Sequence, residues 1–552
     1  MGLDPALLKG ISKKTIDTGG FYHLGCTRHI VFLLSKKQGD FMITSFKLVK
    51  IISLHSLTRL LLIVIAWMVL NTEARAGQLK AGVGREDITS KVGLKNDTLY
   101  VKALVLQDAA ATAVIITVDA VAIEEIGSIK KTYLSTVREQ LKKEFNILPL
   151  NVMVNASHCH GIVCEDVEER TVKAVREAMK NLVDVDVGSG VGFENKIMEN
   201  RRVKLKNGKD ADMRRAYSLP PDSEVESVGP VDPQIGILRL DQKNGKTLAV
   251  LYNFACHPIQ GVPSGGNTAD LTGYSSKVIE DCLGDGAMAF FIQGCGGDIN
   301  PVLYKDVAYP PDAEPLGNML GISTMRGLKQ IKCKQDVAFK VINETISLPR
   351  AELSGRIESL QAEQQKLLQS LGANNLNFKT FLPLMVKYNN SEEFPSYFSQ
   401  HYLHEKMLGR NDLDKLDAEN RKNMKKYLAN IHVMEELTRV QTNLALLKKN
   451  QAKNIASGKR TIDVEVMGLR IGDFVMVTFP GELTVQIGLN IKKMSPHKST
   501  FVAGYTNGYI YYAPTAEQLK NVGNAQEDSD CILAPEWQQI FEDKVAAILK
   551  KL

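Results

Sequence analysis

Between Lys80 and Pro349 short β-rich apolar runs alternate with stretches whose apolar residues recur at helical spacing, and that alternation confines the chain to a layered α/β architecture. Val114 to Val118, Val152 to Val154, Ala249 to Phe254 and Ala289 to Ile292 are strand-like, whereas Ile129 to Phe145, Val167 to Asn181 and Ser275 to Cys282 carry the helical period. From about residue 351 to residue 457 the pattern changes. Leu, Glu, Gln and Lys dominate there, with apolar positions such as Leu353, Ile357, Leu360, Leu367 and Leu371 at helical spacing, and again from Met434 to Leu447. This segment reads as a long helical hairpin that supports the domain it enters. Strand signals return at Asp463 to Leu469, Asp473 to Phe479 and Ser499 to Ala503, so the hairpin interrupts one domain rather than separating two. The expected fold is α/β, with layered mixed β-sheets flanked by helices and a helical insertion at 351–457.

A chain of 552 residues, 44% hydrophobic and 24% charged, has the composition of a globular protein with a large core. Its formal charge of +6 is concentrated at the start: the first 76 residues hold 10 Lys+Arg against 4 Asp+Glu, and the rest holds 58 of each. A neutral body without a long Lys/Arg run lacks the footprint of a nucleic-acid binder. In the leader, Lys47, Lys50 and Arg59 precede an apolar run from Leu60 to Leu70, and Ala74-Arg75-Ala76 forms an A-x-A signal. Residues 1–76 are therefore read as a leader and signal peptide removed on export to the periplasm or the medium, leaving a domain of residues 77–552. An N-terminal membrane anchor is the alternative. The preface before Met42 is long for a signal peptide, and Met42 would give a start of ordinary size. Beyond the leader the seven cysteines are odd in number and show no C-x-x-C spacing, so neither a disulfide framework nor a zinc ribbon follows.

Three polar loops each follow a strand-like run. Val152 to Val154 leads into Asn155-Ala156-Ser157-His158-Cys159-His160, and in extended chain an H-x-H pair points both rings to one side. That arrangement suits two metal ligands, or one ligand and one polar assistant. Leu248 to Ala255 ends in Cys256-His257-Pro258, and Asp473 to Phe479 breaks at Pro480-Gly481-Glu482. Ligand sites in α/β sheets gather beyond the carboxyl ends of strands, and two His with one Glu form a catalytic zinc set. Mixed N/O donors point to Zn2+. Two further loops fit the same geometry. Gln293 to Pro301 contains Gly294, Gly296 and Gly297, whose backbone can approach a ligand, while Asp298 can equally cap backbone amides in a tight turn. The tyrosines between Gly504 and Pro514 read as an aromatic wall or as ligands.

Ala81-Gly82-Val83-Gly84-Arg85-Glu86-Asp87-Ile88-Thr89 resembles the opening of the mature neutral/alkaline non-lysosomal ceramidases. The H-x-H loop, Asn253 to Pro258, the Gly-Gly-Asp loop, Pro480-Gly481-Glu482 and Asn507 to Tyr512 follow in that family's order, over roughly residues 80 to 530. The resemblance implies a zinc-dependent amidohydrolase acting on a small-molecule or lipid-like acylated substrate, with contact to a membrane surface compatible with such a substrate. It implies His158, His257, Glu482 and Tyr512 as zinc ligands, and His160 and Arg201 as groups polarising the amide carbonyl. Asp298 is the expected orienter or proton carrier behind them. The chain departs from the family at Asn300, where ceramidases carry a serine considered essential. About 40 residues follow Tyr512, so the resemblance is to the catalytic part and does not extend to the family's immunoglobulin-like domain. Two other readings stand beside the ceramidase-like one: a related zinc hydrolase of another acylated amide or ester, and a catalytically silent envelope binding protein.

Overall fold

The computed structural model describes residues 78–552 except 213–219, 262–265, 303, 305–311 and 522–524. The expected leader, its cleavage point and Met42 lie outside the described residues.

Eight strands form the main sheet. They are β1 (Lys80–Asp87), β2 (Tyr100–Gln107), β3 (Thr112–Val118), β4 (Val152–Ala156) and β5 (Val183–Phe193), then β10 (Gln234–Gln242), β11 (Thr247–Phe254) and β12 (Met288–Gln293). Between these lie short β6 (Met198–Asn200), β7 (Arg202–Leu205), β8 (Asp210–Asp212) and β9 (Val225–Val228). The main order is β12-β11-β10-β5-β1-β2-β3-β4, antiparallel except at the two edge pairs β3/β4 and β11/β12. Both faces are covered, which is why these strands read as continuous apolar runs. On β2, Val101, Ala103 and Val105 face one core cluster while Leu104 and Leu106 face another.

A second sheet has the order β14 (Phe339–Pro349), β15 (Thr461–Ile471), β16 (Phe474–Thr478) and β18 (Ser499–Ala503), with β16 and β18 parallel. Its Met467, Leu469, Phe474 and Phe501 meet Leu104, Leu106, Leu238 and Leu251 of the main sheet in one buried cluster. Helices cover the outer faces. The first two are α1 (Tyr133–Phe145) and α2 (Val167–Lys180), and α2 lies on β1 and β2. Gly82 permits that approach, because a Cβ there would stand 2.0 Å from the Ala178 carbonyl oxygen. The pair α3 (Asp270–Leu283) and α4 (Glu314–Leu328) covers β12, β10 and β5. The expected helix over Ile129 to Phe145 begins only at Tyr133, with a turn before it.

Strands β14 and β15 pair along their whole length, from Phe339↔Ile471 to Pro349↔Thr461. The insertion therefore leaves and re-enters the same ladder. It contains α5 (Ser354–Ser370), α6 (Phe378–Asn390), α7 (Ser399–Met407) and the 45-residue α8 (Asp412–Ala456). Leu353 and Leu360 pack on Val440, Leu444 and Leu447, which makes α5 and the end of α8 the two arms of a hairpin. Helices α6 and α7 form an elaborated tip that the sequence pattern does not resolve. Among the described residues no helix is long and apolar enough to cross a membrane. The chain finishes with α9 (Val485–Met494), α10 (Gln526–Ser529) and α11 (Trp537–Lys551), the last against β14 and β15.

The two sheets are held by aromatic packing centred on Phe501, fully buried, stacked on Phe474 at 5.1 Å and seated over Gly236. Phe501→Ala should destabilise the protein by about 3–5 kcal/mol, read as a lower urea midpoint with unchanged m-value. A loss below about 1 kcal/mol would show that the ring does not hold the sheets together.

Candidate metal centre

The carboxyl ends of the parallel pairs β3/β4, β11/β12 and β16/β18 meet at one place. Asn155 ties them: its Nδ2 donates to the Gly504 carbonyl at 2.7 Å, its Oδ1 accepts from the Gln293 amide at 3.0 Å, and Gly504 N donates to the Gln293 carbonyl at 3.1 Å. Beyond β4 the chain keeps two further backbone bonds, Ser157 N to Val118 O and His158 N to Ala120 O, both 2.9 Å. His158 then takes a left-handed φ of 70°. That conformation departs from the extended chain expected of the H-x-H pair, although both rings line the same cleft. His158 is buried, His160 is exposed, and their ring centroids lie 5.7 Å apart in edge contact.

His257 arrives three residues after β11 and Glu482 opens the short strand β17 (Glu482–Leu483), which pairs in parallel with β19 (Tyr512–Ala513). His257 Nε2 stands 3.1 Å and His158 Nε2 3.6 Å from Glu482 Oε2, and one donor atom from each of the three lies within 4.8 Å of the others. The opposite ring nitrogens are occupied: His158 Nδ1 contacts the Val121 carbonyl at 2.6 Å and His257 Nδ1 the Ile299 carbonyl at 3.0 Å. Each Nδ1 thus carries a proton and both Nε2 atoms turn toward Glu482, the ring orientation a metal ligand requires. Burial pushes the His158 imidazole down to about 4. Burial alone would raise the Glu482 carboxyl, but the two histidines and the Tyr509 hydroxyl hold it well below the usual range. Its donors include Tyr505 O–H at 3.1 Å to Oε2 and Tyr509 O–H to Oε1. Burial keeps both phenols neutral, so they serve as donors. A neutral His158 ring, an ionised carboxylate and the hydrogen bonds that fix both imidazoles fit a divalent metal ion, and the N/O set fits zinc.

The other expected site residues fall in three places. Arg201, nearly fully buried, donates from Nε to Glu527 at 2.7 Å, from Nη1 to Asn300 Oδ1 at 3.0 Å, and from Nη2 to Gly297 O at 2.5 Å and to the Tyr512 hydroxyl at 3.1 Å. Asn300 therefore stands behind Arg201. Asp298 accepts from the Val485 amide at 2.8 Å, at the first residue of α9, and from Asn200 Nδ2 at 3.3 Å, so it caps the start of a distant helix rather than amides of its own turn. Burial raises its carboxyl. Gly297 serves close packing of protein on protein, since a Cβ there would meet the Glu482 and Leu483 carbonyl oxygens at 2.8 Å. Arg201 and Tyr512 line a cleft of about 250 Å³ together with the three clustered donors, and His160 lies at its edge. The structure adds groups that the sequence reading did not single out: Tyr505 and Tyr509 as donors to Glu482, Glu527 as the counter-ion of Arg201, and Lys449 on the cleft wall. The cysteines flanking the site, Cys159, Cys256 and Cys295, are free and buried, and burial pushes each thiol up.

The layered fold has counterparts among solved hydrolases. It is similar to the neutral ceramidase from Pseudomonas aeruginosa, with a TM-score of 0.54 and 16% identity over 86% of this chain and 75% of that one. A ceramidase complexed with C2 gives a TM-score of 0.55, again at 16% identity, over 86% of this chain and 76% of the other. At that identity the likeness establishes the fold. No protein-family model matches the chain, and no curated protein matches it in sequence.

Zinc titration against a chromophoric chelator should give one tight site per chain. His158→Ala, His257→Ala and Glu482→Ala should each abolish that site, and Tyr509→Phe should weaken it by about tenfold through the carboxylate it orients. Unchanged zinc stoichiometry in all three alanine variants would place the metal elsewhere.

Proposed function

We propose that this protein is an exported zinc-dependent hydrolase that cleaves an N-acyl amide bond in a small or lipid-like substrate other than ceramide. The observation that carries this reading is the buried His158, His257 and Glu482 cluster on the floor of a cleft, in a ceramidase-like fold. A zinc ion bound there supplies Lewis acidity, activating water at neutral pH and polarising a carbonyl. His158 and His257 would offer it their Nε2 atoms, since their Nδ1 atoms are held by backbone carbonyls, and Glu482 would contribute the negative charge. Tyr512 is the fourth group of the set, with its hydroxyl oxygen accepting from Arg201 Nη2. Arg201 orients that phenol and adds positive charge to the cleft wall, where an oxyanion develops during acyl transfer. His160, exposed beside His158, is the general acid that returns a proton to the leaving nitrogen.

Asn300 bears on the substrate. In place of the family's serine hydroxyl, its Oδ1 accepts from Arg201 and its side chain is buried. A residue committed to holding Arg201 does not offer a hydroxyl to ceramide, which favours another acylated amide.

Zinc-loaded protein screened over ceramides, N-acyl amino acids and acylated sugars should turn over a non-ceramide substrate best. His257→Ala should lose zinc and lower every activity by about a thousandfold or more, whereas Asn300→Ser should raise ceramide turnover relative to the best substrate. Ceramide turnover by the unchanged protein as fast as any other would refute the shift of substrate, and stoichiometric zinc with no hydrolysis at all would favour the binding-protein reading. For export, intact-mass analysis of secreted material should find Gly77 as the first residue; retention of the Leu60 to Leu70 run in a membrane fraction would make the leader an anchor.

A further inference from the structure

The helical insertion contributes one side chain, Lys449 of α8, to the lining of the cleft that holds the metal donors. Lys449 and Lys453, one turn apart on α8, both lie over the Tyr511 ring, with Nζ at 5.0 and 4.4 Å from its centroid. Tyr511 itself has a left-handed φ of 67°, a costly conformation for a bulky residue that holds its ring against the helix. The two lysines differ in what they do. Lys453 is committed: its ammonium donates to Glu125 at 2.8 Å and to the Tyr511 hydroxyl, and that hydroxyl donates to the same Glu125 carboxylate at 3.2 Å. Lys449 forms no ion pair among the described residues, is exposed to solvent, and lines the cleft that holds His158, His257 and Glu482.

We infer that Lys449 is an anion subsite at the cleft mouth, and that the substrate carries an anionic group, a carboxylate in the simplest case, beside its scissile acyl bond. The inference rests on the hydrolase reading above and deepens it by naming the substrate class. Charge around the mouth supports it. The acidic side chains there are Glu482, which belongs to the metal-donor set, Glu125, paired with Lys453, and Asp530, whose Oδ1 lies 3.4 Å from Asn450 Nδ2. Arg201 on the inner wall is matched by Glu527, which leaves Lys449 as the rim cation that forms no ion pair among the described residues. A cleft of about 250 Å³ is smaller than the roughly 300–1,000 Å³ typical of drug-sized ligands, so it receives the polar, reacting part of the substrate and leaves an acyl chain outside. Lys449 lines that space with its ammonium near the Tyr511 face and exposed to solvent, where its hydrogen-bond donors can meet such a group.

The test compares N-lauroylglycine with N-lauroylethanolamine, which share an acyl chain and amide and differ in one anionic group. Zinc-loaded full-length protein should show the higher kcat/KM for N-lauroylglycine. Lys449→Gln should lower the ratio of the two kcat/KM values about five- to tenfold, Lys449→Glu should lower it further, and Lys449→Arg should keep it within about twofold. A ratio unmoved by Lys449→Gln, or an unchanged protein that prefers the ethanolamide, would overturn the inference. If the unchanged protein hydrolyses neither compound, the hydrolase reading has failed, and calorimetric titration of the same zinc-loaded proteins then decides the subsite. Tighter binding of N-lauroylglycine that is lost in Lys449→Gln upholds it, and equal binding of both compounds overturns it.

Discussion

An ionised carboxylate almost sealed from solvent persists only where fixed donors replace the water it has lost, and Glu482 imposes that requirement on the whole centre of the molecule. Tyr505 and Tyr509 supply hydroxyls from the loop after β18, and His257 adds a ring nitrogen from the end of β11. These donors come from two strand ends, and Glu482 follows a third, β16, so the three must be brought together before the charge can be buried. Removing one partner from a buried charged set commonly costs about 3–5 kcal/mol, so the tyrosines have a structural role as well as any role in orienting a metal. A metal ion would bring positive charge to the same carboxylate, which makes the binding of the ion and the order of these loops one linked equilibrium.

A second buried charge system holds the site from behind. Arg201 and Arg202 are adjacent, and each meets one of the adjacent acids of α10: Arg201 Nε to Glu527 at 2.7 Å, and Arg202 to Asp528. The same short segment reaches outward. Arg356 of α5 donates to the Asp528 carbonyl at 2.9 Å, and Asn450 of α8 donates to the Ser529 carbonyl at 3.1 Å. Tyr512 N donates to the Asp530 carbonyl at 3.2 Å. Residues near the end of the chain thereby join the cleft, the main body and the insertion. Such a junction explains why Tyr511 and Asn507, at φ of 67° and 58°, tolerate left-handed backbone: neighbours on several sides fix them there.

The periodicity of the chain carried the strands and the layered class, because both faces of the sheets are covered and each strand reads as an apolar run. The His158, His257 and Glu482 convergence was also legible, since each follows a β-rich run and the carboxyl ends of such runs gather in α/β folds. Geometry at single residues was not. His158 takes a left-handed φ and is buried while His160 is exposed, and nothing in H-x-H spacing signals that turn. Asp298 shows the limit of residue type as a guide: an acid beside glycines fits both a proton carrier and an amide cap, and only the 2.8 Å bond to Val485 reveals which bond it makes. The partners Arg201 and Glu527 are 326 residues apart in sequence, beyond the reach of local pattern. The tyrosine run was visible, but its hydroxyls as donors to Glu482 depend on how the loop closes.

The cleft divides into parts of different origin. Its floor comes from strand ends stitched by Asn155 and filled by a carboxylate that demands fixed donors, so little variation there is compatible with folding. Its outer wall comes from α8, an element inserted between β14 and β15, two strands that pair without interruption on either side of it. Changes along α8 alter what stands at the mouth without disturbing the β14/β15 ladder or the donors of Glu482. Chemistry set by the floor and selectivity set by the wall are therefore separable in this fold. That separation is the physical basis on which a scaffold of this fold can keep its His-His-Glu cluster while the groups at the cleft mouth change.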